Sequence, residues 1–239
     1  MKDKVLVALD VETRDRALTL ADALRGSVGG FKIGSRLFTA EGPAMVRAFV
    51  ERGDRVFLDL KFHDIPNTVA TAVAAATELG VWMVNVHASG GTAMMQAARA
   101  AAHETAAKRN LPPPLVIAVT VLTSMSQAAL RETGIVIDLM DQVLRLAELA
   151  RDAGLDGVVA SPRETASIRA RCGKDFAIVT PGIRGGAAAV TKDDQERTMS
   201  PADAVGAGAS YLVVGRPIIA AQDPKQAADA IAGSLGVRR

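Results

Sequence analysis

Eight short apolar runs recur along the chain, each followed by a longer alanine-rich segment with helical patterning and then by glycine or a polar break. The runs are Lys4 to Asp10, Phe31 to Gly34, Arg55 to Lys61, Trp82 to His87, Leu115 to Leu122, Gly157 to Ser161, Phe176 to Pro181 and Tyr211 to Gly215. Their near-continuous valine, isoleucine and leucine content suits strands covered on both faces, as parallel strands joined by crossover helices are. No Gly-x-Gly-x-x-Gly follows the first run, and the count is eight, so the alternation predicts a closed TIM (β/α)8 barrel of the α/β class rather than an open sheet. Short linkers and an even composition predict one domain over residues 1–239, close to the ~250 residues typical of such barrels. Pro112-Pro113-Pro114 is read as a rigid lead into the fifth strand. The longest irregular stretch, Gly182 to Thr198, is read as a lid or ligand loop.

Charge and composition narrow the partners. With 28 basic and 26 acidic residues the formal charge is +2, so no global field draws the protein to nucleic acid or to a membrane surface, and an anion must be held by a local site. Cys172 is the only cysteine, which excludes an intrachain disulfide and a cysteine-cluster metal site and fits a reducing cytoplasm. The opening apolar run ends at Asp10, too soon for a signal-peptide core, and no apolar stretch approaches the ~20 residues a membrane helix needs. The expectation is a soluble, cytoplasmic protein.

The ends of the predicted strands carry the candidate chemistry: Asp10, Lys32, Asp59 with Lys61, His87, Thr123, Ser161, Arg184 and Arg216. In a barrel those ends share one face, and that face holds the active site. The densest segment is Asp59-Leu60-Lys61-Phe62-His63-Asp64-Ile65-Pro66-Asn67-Thr68. Side chains two apart on a strand face the same way, so Asp59 and Lys61 are expected to point together to the barrel mouth while Leu58 and Leu60 pack against helices. The structural alternative is a salt bridge at the rim, with Asp64 capping the helix that Pro66 helps begin.

Other residues have plain alternatives too. Ser161-Pro162-Arg163-Glu164 has the pattern of a capped helix start, and Ser124 with Gln127 offers a similar arrangement. His63, His87 and His103 lack the spacing of a zinc site and have no cysteine companions, so no metal is expected. Thr180-Pro181-Gly182-Ile183-Arg184 and Val213-Val214-Gly215-Arg216 follow strands seven and eight, where barrels frequently hold phosphate. Glycine there lets the backbone approach, and arginine adds a charged fork.

Taken jointly, Asp59-x-Lys61-x-x-Asp64-Ile65-Pro66-Asn67-Thr68 resembles the signature of the orotidine 5′-phosphate decarboxylase family. Ala8-Leu9-Asp10, Phe31-Lys32-Ile33-Gly34, Val86-His87-Ala88-Ser89-Gly90-Gly91, Val121-Leu122-Thr123-Ser124, the two phosphate segments and Asp194-Gln195 also occur in family order. The Asp-x-Lys-x-x-Asp core is shared with sugar-phosphate relatives, among them a metal-dependent decarboxylase, but those resemble the Lys32 region with an acidic residue in its place. One departure is Gly185, where many family members have proline.

The resemblance implies a cofactor-free lyase that decarboxylates orotidine 5′-phosphate to uridine 5′-phosphate (UMP) in pyrimidine biosynthesis. Lys32, Asp59, Lys61 and Asp64 would form a catalytic charge network with Lys61 as proton donor. Asp10 and Thr68 would hold the ribose, Thr123 and Ser124 the pyrimidine, and Arg184, Gln195, Gly215 and Arg216 the phosphate. Asp64 and Thr68 would reach into the neighbouring subunit's site, requiring a homodimer. An aldolase-like Schiff base on Lys61 is the competing enzyme class, but it needs a neutral amine, which adjacent carboxylates disfavour. A non-catalytic phosphate-binding barrel would need no Asp-Lys-Asp cluster.

Overall fold

A computed structural model describes residues 1–183 and 199–236. Eight parallel strands close in sequence order into a barrel: β1 (Val5–Ala8), β2 (Gly30–Gly34), β3 (Val56–Phe62), β4 (Met83–His87), β5 (Leu115–Val119), β6 (Gly157–Val159), β7 (Ala177–Thr180) and β8 (Tyr211–Val214), with β8 paired back to β1. Each expected run holds one strand; β2 begins one residue before its run, at Gly30, β3 ends one residue beyond its run, at Phe62, and the others are shortened. β5 stops at Val119, three residues short of Leu122, because Leu122 to Met125 turns the chain with a Met125 N–H bond to the Leu122 carbonyl. The strand begins directly after the triple proline, as expected.

The helices among the described residues are α1 (Arg14–Leu24), α2 (Ser35–Glu41), α3 (Pro43–Val50), α4 (Pro66–Glu78), α5 (Gly91–Arg109), α6 (Gln127–Glu132), α7 (Leu139–Asp152), α8 (Thr165–Cys172), α9 (Pro201–Gly206), α10 (Arg216–Ile219) and α11 (Pro224–Ser234). Strand alternation sorts the apolar side chains into two clusters. Val5, Val7, Ile33, Leu58, Val84 and Val116 join the layer under the helices, with Leu60 packed against it, whereas Leu6, Ala8, Phe57, Met83, Ile117 and Val179 fill the barrel. At the N-terminal end of the strands Trp82 and Tyr211 meet edge to face at 5.1 Å, closing the barrel floor. Asp10, Lys32, Asp59 and Lys61 gather toward the other end.

Three expected helix starts are corrected. Asp64 does not cap α4: Ile65 is the cap residue, without a side-chain bond, and Asp64 Oδ1 instead accepts from the Ile65 N–H at 2.6 Å. Ser126, not Ser124, caps α6, accepting from the Ala129 N–H, while Gln127 ties down the following loop through the Ile137 carbonyl and the Leu139 N–H. Ser161 does not cap α8, which begins only at Thr165. Half of the expected box survives, because Glu164 Oε2 accepts from the Ser161 N–H at 2.9 Å, but among the described residues the buried Ser161 hydroxyl has no hydrogen-bond partner. No described helix is long and apolar enough to cross a membrane.

Candidate active site

Three neighbouring strands bring Asp10, Lys32, Asp59 and Lys61 together at the C-terminal mouth. Lys32 and Gly34 pair with Phe57 and Asp59 on β3, and Lys32 pairs with Ala8 on β1, so its ammonium rises between two carboxylates. Lys32 Nζ is 3.2 Å from Asp59 Oδ2 and 3.4 Å from Asp10 Oδ1. Lys61 Nζ is 2.7 Å from Asp59 Oδ1. Asp59 and Lys32 are almost wholly buried, Lys61 about one-third exposed and Asp10 about half. Burial pushes the Asp59 carboxyl up, but the charges of Lys32 and Lys61 and hydrogen bonds from Lys61 and Asn85 outweigh it. Its net direction is downward, and it stays ionised at neutral pH.

The alignment of Asp59 with Lys61 is not simple strand alternation. Between the Leu58–Val84 and Phe62–Val86 pairings β3 advances four residues and β4 only two, a bulge that accommodates Lys61 at a φ of 54°. A left-handed lysine costs about 1–2 kcal/mol, so surrounding contacts must hold it. Asn85 on β4 supplies them: its Oδ1 accepts from the Lys61 N–H at 2.8 Å and its Nδ2 donates to Asp59 Oδ1 at 2.7 Å. The sequence reading missed Asn85. Its signal was an amide at the inward-facing register of an apolar strand, two residues before His87, where a buried polar group needs a partner.

His87 ends β4 with its ring 5.5 Å from that of His63. Burial chiefly holds its pKa below the ordinary 6.5, with His63 and Lys61 adding to the effect and Asp59 opposing it. Gly215 follows β8 beside β1, where a side chain would come 3.5 Å from Ala8 Cβ and 3.8 Å from Asp10 Oδ2. Arg216, the first residue of α10, is exposed next to it. Thr123 is half-buried and Ser124 exposed in the turn after β5. Arg184 and Gln195 lie outside the described residues.

Among the described residues, no hydrogen bond or ion pair joins Asp64 or Thr68 to the cluster. Both are exposed, on the loop and first turn after β3, and among the described residues the ion pair of Lys61 is with Asp59. Asp64 lines an open depression together with His63, Ile65, Pro66, Ser89 and Gly90. Another depression, involving Asp156, Cys172, Asp175 and Tyr211, opens at the N-terminal end of the strands, away from this chemistry.

A profile of the orotidine 5′-phosphate decarboxylase / HUMPS family matches residues 3–231. The chain belongs to that family. Among curated relatives, orotidine 5′-phosphate decarboxylase of Moorella thermoacetica is 58% identical over 235 residues, 98% of this chain and 92% of that protein. The enzyme of Syntrophotalea carbinolica is 54% identical over 96% of this chain and 93% of its own length. The crystal structure of orotidine 5′-phosphate decarboxylase from Lactobacillus acidophilus superposes with a TM-score of 0.86 at 36% identity, covering 98% of this chain and 99% of that one. That from Pyrococcus horikoshii gives 0.77 at 27% identity, covering 98% and 100%. The family's single closed barrel is the architecture found here, with the charged cluster at its mouth.

Proposed function

We propose that the protein converts orotidine 5′-phosphate to UMP and CO2 in pyrimidine nucleotide synthesis, with Lys61 as the proton donor. The carrying observation is the Lys61 ammonium held 2.7 Å from an Asp59 carboxylate that Lys32 and Asn85 also grip. When the C6–carboxyl bond breaks, the electron pair remains on C6 in the ring plane, where delocalisation is poor. A fixed positive charge lowers the energy of that carbanion, and electrostatic preorganisation of this kind is usually the largest catalytic term. A Lys61 N–H then transfers its proton to C6, forming the new C–H bond and leaving an amine that regains a proton from solvent.

The remaining assignments follow the same reading. Asp10 and Thr68 hold ribose hydroxyls, Thr123 and Ser124 the pyrimidine, and Arg184, Gln195, Gly215 and Arg216 the phosphate, whose binding energy assists catalysis at the distant C6. Asp64 and Thr68 act in the site of a second copy, completing the network of Lys32, Asp59 and Lys61. Their exposure supports this, as does Ile65 beside them, a large apolar side chain 67% exposed. No cofactor or metal takes part, and the homodimer works in the cytoplasm.

Purified protein mixed with orotidine 5′-phosphate tests the reading by UMP formation. Activity unchanged by EDTA and abolished in Lys61→Ala is expected. Loss with EDTA and recovery with magnesium would point to the metal-dependent members of the family, and borohydride trapping of substrate on Lys61 would point to Schiff-base chemistry.

A further inference from the structure

We infer that Asn85 is a positioning residue that fixes Lys61 at both ends and so sets where its ammonium can deliver a proton. The inference rests on Lys61 being the proton donor. Asn85 is wholly buried in β4, between inward-facing Met83 and the His87 strand end. A buried carboxamide left unbonded would be costly, and here both of its halves are engaged. The partners also dictate which way it faces. The Lys61 backbone N–H can only donate, so it requires Oδ1, and the Asp59 carboxylate can only accept, so it requires Nδ2. Rotating the amide by half a turn would set donor against donor and acceptor against acceptor.

The two contacts close a ring. Asn85 Oδ1 holds the Lys61 backbone nitrogen at 2.8 Å, Asn85 Nδ2 holds Asp59 Oδ1 at 2.7 Å, and the same Oδ1 holds Lys61 Nζ at 2.7 Å. Within the bulge of β3 the side-chain oxygen of Asn85 receives a backbone N–H that the irregular strand pairing does not take up. It thereby supports the left-handed conformation at Lys61 that aims the side chain at Asp59. Without this clamp, backbone and ammonium would each gain freedom, and misplacements of about 1 Å can lower a rate ~100-fold.

The test compares wild type, Asn85→Ala and Asn85→Asp for kcat, KM, pH profile and thermal unfolding. Lys61 acylation by acetic anhydride, located by mass spectrometry, supplies a readout independent of turnover. Asn85→Ala should lower kcat by about 10- to 100-fold with KM changed by less than about three-fold, because substrate contacts remain while the donor loses its aim. Lys61 should also be acylated faster than in wild type. Asn85→Asp sets a second carboxylate against Asp59, so its activity relative to wild type should rise as pH falls and the new carboxyl, once protonated, can donate again.

Unchanged kcat in folded Asn85→Ala, unchanged acylation, or a pH-independent deficit shared by both variants would overturn the inference. If Asn85→Ala does not fold, the Asn85→Asp profile and its acylation rate decide alone. Should wild type fail to turn over orotidine 5′-phosphate, the decarboxylase reading falls, while the acylation comparison still judges the clamp.

Discussion

A methyl group on Gly34 would stand 2.9 Å from Lys32 Nζ, so the ammonium bridging Asp10 and Asp59 occupies room that glycine leaves open. The backbone there is extended, with φ −96° and ψ −179°, which alanine adopts without strain. Gly34→Ala should therefore change stability by only about 1 kcal/mol, because the atom that must yield is the tip of a flexible side chain. Activity should fall at least ~10-fold as Lys32 is pushed off its partners. Parallel thermal melts and decarboxylase assays check this; full activity in a folded variant would show that the Lys32 position is not critical.

Asp59 links the site to stability. Its folded-state pKa lies below the ordinary 3.8, so its stabilising contribution is fully present above about pH 4 and is lost as pH falls through the lower folded value. Asp59→Ala would also leave Lys32 buried without its inner partner, a change that typically costs roughly 3–5 kcal/mol. Denaturant unfolding between pH 2 and 7 should show the variant less stable near neutrality and less sensitive to acid than wild type.

The eight strands were legible because each is a short β-branched run between glycine or polar breaks, and a closed parallel barrel buries both faces of each run. Asp10, Lys32, Asp59 and Lys61 were legible as a set because strand ends converge. Asn85 was not, since its role depends on a bulge in β3 that places a lysine backbone N–H opposite a β4 side chain, and strict alternation contains no bulge. The helix caps at Asp64, Ser124 and Ser161 failed for a common reason. Each lies at a strand end or in the turn beyond it, and the chain runs on past it to a later cap residue, Ile65, Ser126 and Glu164 respectively.

Ser124 and Ser126 separate the two roles that one serine-rich turn offered. Ser126→Ala removes the bond to the Ala129 N–H and should cost about 1 kcal/mol of stability. Ser124→Ala should leave stability within about 0.5 kcal/mol, as exposed changes usually do, while raising KM if its hydroxyl meets the pyrimidine. Chemical denaturation and steady-state kinetics on the pair distinguish these outcomes; a stability loss in Ser124→Ala alone would reverse the assignment.

His87 predicts a separate acid effect. Its folded pKa is depressed, so the unfolded chain binds its proton first: stability should begin to decline as pH drops below about 6.5 and continue until the folded value is passed. His87→Gln should lack that step while keeping the later loss due to Asp59. Stability measured at closely spaced pH values, with the His87 ring followed by NMR, checks both position and sign.

The shared site yields the most exacting prediction. Asp64 and Thr68 are exposed just beyond the strand that carries Asp59 and Lys61, and within the chain Asp64 bonds only to the neighbouring Ile65 N–H among the described residues. If each copy lends Asp64 to its partner, Lys61→Ala and Asp64→Ala dimers are each inactive at both sites. A mixed dimer then holds one site with both residues intact and one with neither. Random exchange at equal concentrations makes about half the dimers mixed, so roughly a quarter of all sites should recover, as the two-fold symmetry requires. Sites completed within one chain would recover none. Native mass spectrometry showing mixed dimers, with activity still at the level of the separate variants, would exclude the composite site.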